Sequence, residues 1–488
     1  MNKRKSVFLV FLLWSAVAFA LDPQTNEAKT AKLYQSFFEG EIAELAKLNL
    51  FLTQMPKGGD LHHHYSGSIY LETYLEWIEK KRWGIDVQTL KIIPKVIEQS
   101  TASVLTIPDL MKNGTLYRKL VTLWSNKDYS NHAHEQLPPD SNFFNTFGYF
   151  KEVSPLNHNL GLKILKERAV KENLSYIETM LSNVGVQSSD YFTDLEINTY
   201  VKALRKCDNQ GQVNQILEDL ESVLVAQKKF TQTIDDFNEN IIKNHQGIDD
   251  AEFMMRYQTY AVRVLDPLQV FSGLLSAYLA CGKNPYLVGV NIVAPENNYV
   301  ALKDYTLHMR MYNYLKAKYP KVNRALHAGE LTVGMVRPKN LQFHIKEALE
   351  IAGAQRIGHG VDIAYEYDSL VTLKKIKEQA VVEINLTSNE FILGVEGESH
   401  PYVLYESYGV PLVISTDDSG VSRNNLTNEY LLLASRYQPS YKKLKEYVFN
   451  SVKYSFLSDS DKQELADRVR VKFSHFEKEM AQFSRELN

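Results

Sequence analysis

Eight short apolar runs constrain this fold more than any other feature of the chain: Gly59–Tyr65, Leu174–Met180, Met254–Val264, Leu287–Ala294, Asn323–Ala328, Arg356–Gly360, Val381–Leu386 and Pro411–Thr416. Segments of helical period separate most of them, among them Tyr305–Tyr319, Leu341–Ala352, Tyr367–Gln379 and Tyr402–Tyr408. Strands alternating with helices call for an α/β protein, and eight such units close into a (β/α)8 TIM barrel rather than an open sheet. A barrel of this kind needs only ~250 residues, and the chain has 488. The surplus falls in 66–173 and 181–253, which are too long for simple crossovers and must hold extra helices.

One domain is therefore expected over residues 21–488, with helical insertions near 83–150 and 205–250. Hydrophobic residues make up 44% and charged residues 23%, enough to build one large core. No repeat, low-complexity tract or linker marks a second. Within the first insertion, Asn126–Ser141 is rich in Asn, Ser, His and Pro and reads as a surface loop. In the second, Gln210–Asn244 places Val213, Ile216, Leu217, Leu220, Val223 and Leu224 at helical spacing. That stripe either packs on the barrel or forms an oligomerisation arm.

The first twenty residues stand apart from the fold. Lys3, Arg4 and Lys5 form a positive n-region, Val7 to Ala18 is mostly apolar, and Ala18-Phe19-Ala20 supplies a cleavage signal. The apolar run is short for a bilayer span of ~20 residues. A cleaved signal peptide, export to a periplasm or beyond, and no stable membrane anchor are the expectations. The formal charge of −3 lacks the basic excess of a nucleic-acid binder, so no nucleic-acid partner is expected. Two cysteines, Cys207 and Cys281, exclude cysteine-rich zinc modules. In an oxidising compartment they either bridge or stay as free thiols.

Chemistry-bearing residues gather at strand ends. In Met55-Pro56-Lys57-Gly58-Gly59-Asp60-Leu61-His62-His63-His64, alternation along a strand sends His62 and His64 to one face and His63 to the other. A second such pair, His132-Ala133-His134, lies in a loop and is a weak ligand candidate. His327-Ala328-Gly329-Glu330 ends the fifth run, Arg356-Ile357-Gly358-His359-Gly360 the sixth, and Ser415-Thr416-Asp417-Asp418 the eighth. Barrel enzymes place their active sites on that face. Three imidazoles and a carboxylate (His62, His64, His327, Asp417) suit one zinc ion with room left for a water, whose pKa the metal lowers towards neutrality. His359 is then the base for that water, Glu330 the acid for the substrate, and Asp418 a substrate contact.

Together these motifs resemble the adenosine/AMP deaminase family of amidohydrolase-type barrels, over roughly residues 50–440. The first motif is spread here by Asp60. The signal sequence, the Met55–Gly59 opening and the extra helices resemble a secreted branch, the adenosine deaminase-related growth factors. The resemblance implies zinc at His62, His64, His327 and Asp417, and hydrolysis of adenosine or 2′-deoxyadenosine to inosine or 2′-deoxyinosine plus ammonia. Activated water adds at purine C6, Glu330 protonates N1, His359 orients and deprotonates the water, and Asp418 meets N7. Phe147, within Phe143–Phe147, resembles the apolar segment over the substrate. The partner implied is a small purine nucleoside. Related secreted enzymes dimerise through inserted helices, which keeps a homodimer open.

Two departures bear on the substrate. The family often has an Asp two residues after the second His, where it contacts ribose; here it is Ser66. The fourth run usually ends in a Gly whose N–H meets the purine; here Ala294 carries a methyl, and Pro295 restricts its backbone. Adenine or another aminopurine is thus an alternative substrate. AMP is disfavoured, because no Arg/Lys cluster accompanies the motifs. A binuclear site is disfavoured too, since Leu287–Glu296 has no lysine to bridge two metals. The alternative from another class is a secreted binding or signalling protein with an inactive barrel.

Overall fold

The eight runs become eight parallel strands in the computed structural model, which describes residues 23–40, 42–127 and 137–486. They are β1 (Gly59–His64), β2 (Tyr176–Met180), β3 (Met254–Val262), β4 (Leu287–Val293), β5 (Asn323–Ala328), β6 (Arg356–His359), β7 (Val381–Ile384) and β8 (Leu412–Ile414). Each pairs with the next in sequence. The ring closes where the Asp417 N–H donates to the His62 carbonyl at 2.8 Å and the His64 N–H to the Asp417 carbonyl at 3.2 Å. Several strands stop a residue or two short of their apolar runs. The reason is local at β4 and β6, where Ala294 (φ 85°) and Gly360 (φ 60°) turn into the left-handed region and end the pairing.

The approach to β1 explains the motif before the histidines. Lys57 is buried, and its Nζ donates to the carbonyls of Leu52 (2.6 Å), Met55 (3.1 Å) and Glu172 (2.6 Å). It thereby satisfies an orphan carbonyl near the end of the helix Leu45–Gln54 and one just past the helix His158–Lys171. Gly58 sits at φ 66°, and a Cβ there would meet Ser451 Oγ at 2.6 Å. Both residues fix where the first strand starts, and so which way His62 and His64 point.

The barrel interior is not wholly apolar. Arg356 is fully buried between Glu178 (2.5 Å) and Glu383 (2.7 Å), with its guanidinium 3.9 Å above the Phe456 ring centroid. Burial of this kind is tolerated because the charges are paired and hydrogen-bonded.

The first insertion differs from the helical reading. It opens with a three-stranded antiparallel sheet, Gly84–Asp86 flanked by Ile92–Ile93 and Val104–Thr106, before the helices Ile107–Lys112, Gly114–Trp124 and Pro139–Phe150. Strands of two or three residues carry no readable period. The expected Asn126–Ser141 loop gives way to helix at Pro139; residues 128–136, with His132 and His134, lie outside the described residues, as does the 1–20 segment. The second insertion forms two helices, Gln210–Ala226 and Lys228–Asn244, whose Val213, Leu217, Leu220, Leu224, Phe230 and Ile234 are buried. This is the barrel-packing alternative. Both cysteine thiols are free. Among the described residues no helix is long and apolar enough to cross a membrane.

Candidate active site

The C-terminal ends of the strands frame a cavity of about 300 Å³. His64, Ser66, Phe147, Ala294, His327, Glu330, His359, Asp417 and Asp418 all line it, so nine residues singled out from the sequence meet in one place. His62, the tenth, is buried beside it with its ring centroid 4.5 Å from that of His327. Phe143 and Phe144 join Phe147 on the wall. Sequence reasoning missed Asn183, Tyr260, Val262 and Val293. Asn183, Val262 and Val293 lie at or just beyond the ends of β2, β3 and β4, and Tyr260 two residues before the end of β3, so the strand-end rule could have reached them.

One ring nitrogen each from His62, His327 and His359 and an Asp417 oxygen lie within 4.8 Å of one another. His64 joins through its Nε2, 3.2 Å from both His327 Nε2 and Asp417 Oδ1. The far sides of two rings are held. His62 Nδ1 is 2.6 Å from Glu383 Oε2, and His327 Nδ1 is 2.9 Å from Asn291 Oδ1. The Asn291 amide is itself fixed: its Nδ2 donates to Gln258 Oε1, and Gln258 Nε2 donates to the Glu178 carboxylate. A carboxylate can only accept, so Nδ1 of His327 must donate, leaving an Nε2 lone pair facing the cluster. The same holds for His62, whose Nε2 is buried without a hydrogen-bond partner.

The electrostatics ask for a cation. Burial alone would keep His62 neutral, but Asp417 and Glu383 outweigh it and raise its pKa to about 10. A positive charge on the Nε2 side, proton or metal ion, is thus favoured between the two carboxylates, and a metal taking that place displaces the proton. Burial likewise pushes the Asp417 carboxyl up, and the close approach of the His62 and His64 rings more than reverses this, holding it well below the usual range. Imidazole lone pairs supported from behind, aimed with a carboxylate at one point, match the donor set of zinc.

Over the cluster, burial and the nearby Asp417 charge raise the Glu330 pKa to about 8. Its Oε1 lies 3.6 Å from His359 Nε2. Burial and Asp417 also push Asp418 well above the ordinary carboxylate range. Gly67 packs directly against Asp418; a Cβ there would fall 1.5 Å from Oδ1.

Glu330 owes its place to a residue the sequence reading quoted without a role. The buried Glu296 carboxylate accepts the backbone N–H groups of Gly329 (3.1 Å) and Glu330 (3.0 Å), and pairs with His344 (2.5 Å) and Arg263 (3.3 Å). Burial raises its pKa, but Arg263 and His344 outweigh that and lower it to about 2. Gly329 takes φ 77°, and a Cβ would come within 2.4 Å of Asp362 Oδ1.

The sequence profile of the adenosine deaminase family matches residues 232–472. The adenosine deaminase of Clostridium perfringens is 33% identical over 142 residues, 29% of this chain and 40% of that protein. The match therefore spans about two-fifths of that relative's length. The adenosine deaminase of Clostridium acetobutylicum is 24% identical over 281 residues, 55% of this chain and 79% of that protein. Among solved structures, an Arabidopsis N6-mAMP deaminase has the same fold, with a TM-score of 0.55 and 17% identity over 86% of this chain and 99% of that one. An amidohydrolase from Burkholderia ambifaria with bound zinc gives a TM-score of 0.54 and 14% identity, covering 91% and 97%. The profile match carries three of the four strand-end motifs and the barrel brings the fourth, with His62 and His64, to the same cavity: the chain belongs to the adenosine/AMP deaminase family.

Proposed function

We propose that this protein hydrolytically deaminates adenosine and 2′-deoxyadenosine, with one zinc ion per chain held by His62, His64, His327 and Asp417. The observation that carries the reading is Glu330, a carboxyl that burial and Asp417 keep protonated near neutral pH, poised over a three-imidazole, one-carboxylate cluster. When bound, the metal supplies Lewis acidity that turns a water into a nucleophile near neutral pH. Glu330 holds the proton that N1 of the purine needs as oxygen adds at C6. Asp418, whose carboxyl burial and the neighbouring Asp417 push upward, meets N7. His359 faces the attacking oxygen and orients it. Phe143, Phe144 and Phe147 supply an apolar wall for the ring and exclude water. The proton of the added hydroxyl passes to the amino group, the C6–N bond breaks, ammonia leaves, and the 6-oxo purine remains.

A nucleoside fits better than a nucleotide. None of the residues lining the cavity is Lys or Arg, while Glu330, Asp417 and Asp418 all face it. The undescribed segment 128–136 carries neither Lys nor Arg in its sequence. A phosphate would enter without the cationic partner it requires. Adenine and other aminopurines share the whole catalytic set, and Ser66 in place of an acid is what favours keeping them as a second reading.

The test is the ultraviolet spectrum of adenosine incubated with purified zinc-loaded protein. The absorbance of the aminopurine falls, with ammonia released in equal amount. No change with adenosine, 2′-deoxyadenosine or adenine, in protein holding zinc, would turn the reading to the binding protein. We also read residues 1–20 as a cleaved export signal, supported by the n-region and Ala18-Phe19-Ala20. Intact-mass analysis of protein from its native host then starts at Leu21.

A further inference from the structure

We infer that a buried polar chain through His400 and Asn389 fixes His359 as an Nε2–H donor, so that it grips the attacking oxygen instead of taking its proton. The inference rests on the deaminase reading for its consequence, but not for its geometry.

The chain starts at an atom with no freedom. The backbone N–H of Tyr402 can only donate, and it donates to His400 Nδ1 at 3.1 Å. Burial holds the His400 ring neutral, its pKa lowered to about 3. Its one proton must therefore sit on Nε2, which lies 3.0 Å from Asn389 Oδ1. That contact settles which way the Asn389 amide faces. Its Nδ2 then points at His359 Nδ1, 2.9 Å away, and an amide nitrogen only donates. A second amide, Asn385 Nδ2, lies 3.4 Å from the same atom. Nδ1 of His359 is consequently an acceptor, and the ring's proton is on Nε2.

His400, Asn389 and His359 are each at most 2% exposed, so no solvent proton enters to reset the sequence. His359 Nε2 has no hydrogen-bond partner within the protein and lies in the cavity wall, 3.6 Å from Glu330 and 3.9 Å from Asp417. A nitrogen that carries hydrogen is not a metal ligand, even though distance alone would admit it to the cluster. It is not a base either.

The contrast with His327 makes the point. The two histidines end polar chains of opposite sense, one begun at the Glu178 carboxylate and one at the Tyr402 N–H. The first leaves a lone pair facing the site; the second leaves a hydrogen. Asn389 and His400 are positioning residues acting through His359. The orienting role expected from the sequence stays, and the proton-accepting half passes to Glu330. Glu330, protonated at rest, gives its proton to N1 while the C6–O bond forms, and the carboxylate left behind is reprotonated from the next water.

Neutron diffraction on deuterium-exchanged crystals of the zinc-loaded protein reads the tautomer directly. Deuterium on His359 Nε2 and none on Nδ1 is the expected result; deuterium on Nδ1 alone overturns the inference. Asn389→Asp puts an acceptor against the ring, and ring-nitrogen NMR then shows a proton on Nδ1. An unchanged pattern removes Asn389 from its positioning role. For the consequence, His359→Gln and His359→Glu are compared on adenosine with zinc content measured in both. Gln keeps a donor without basicity, and Glu offers a base without a donor. Loss of one preorganised donor typically costs about 10²–10³ in kcat, so Gln exceeds Glu by about that factor. Equal rates, or Glu ahead, favour the base and sink the donor role. If the wild-type protein turned over no aminopurine, the deaminase reading would fail, while the neutron result would still decide the tautomer.

Discussion

Glu383 Oε2 stands 2.6 Å from Nδ1 of His62, and both side chains are almost completely buried. Arg356 holds the same carboxylate from its other oxygen at 2.7 Å. The pair makes His62 a stronger, better-aimed lone-pair donor. Partners of this sort commonly contribute 10–100-fold in metal affinity. Glu383→Gln should weaken zinc binding by about that factor, measured by competition with a chromophoric chelator. Unchanged affinity would show that the strand alone orients the ring.

The Glu296 carboxylate gathers two consecutive amides just where Glu330 leaves β5. In Glu296→Gln one of those amides meets an NH2 group instead of an acceptor. We expect kcat to fall about tenfold, which corresponds to one displaced hydrogen bond of ~1.4 kcal/mol. Zinc content should stay at one ion per chain. Hydrogen exchange over residues 327–331 should quicken; an unchanged exchange rate would remove Glu296 as the clamp.

Two glycines test the two halves of the site separately. A Cβ at Gly358 would lie 2.6 Å from His62 Cε1, whereas one at Gly67 would lie 1.5 Å from Asp418 Oδ1. Gly358→Ala should therefore lose zinc. Gly67→Ala should keep zinc and raise KM. Metal analysis beside steady-state kinetics distinguishes them, and loss of zinc from both variants would contradict the division of labour between Asp417 and Asp418.

Glu330→Gln removes the proton carrier and keeps the shape. Turnover should drop by about 10²-fold or more, with zinc content and melting temperature held. A variant turning over at the wild-type rate would take Glu330 out of the reaction.

Glu366 offers a pH test away from the metal. Burial raises its pKa to about 8, although the Ile345 and Lys346 N–H groups pull the other way. The folded state therefore binds this proton more tightly than the unfolded chain does. Its contribution to stability is complete below the unfolded pKa of ~4.3 and is lost as pH rises through about 8. Glu366→Gln lacks that titration. Its melting temperature relative to wild type should climb between pH 5 and 8 and level off above; a flat difference would mean that Glu366 is ionised throughout.

The barrel was legible because each strand is a run of apolar residues ending in a polar motif, and eight such runs have one good closed arrangement. The gathering of the strand-end histidines and carboxylates at one cavity was legible for the same reason. What escaped was of two kinds. The sheet at 84–106 has strands too short for alternation to register. Glu296, Glu383, Asn291, Asn389 and His400 are single polar residues with no spacing rule to announce them, and each acquires meaning only from what lies across the barrel. Cys207 and Cys281 also needed coordinates, since the chain between them decides whether two thiols can meet. At Ala294 the proline that follows favours extended backbone, and the structure departs from that with φ 85°.

Closure of the ring between β1 and β8 has a kinetic side. The donors at His62 and His64 are among the first barrel residues to be synthesised, and Asp417 is among the last. Loop closure over so long a stretch is slow and comes late. A metal ion held by His62, His64 and Asp417 would find them together only after that meeting, so the rate of metal uptake by refolding protein would report on ring closure.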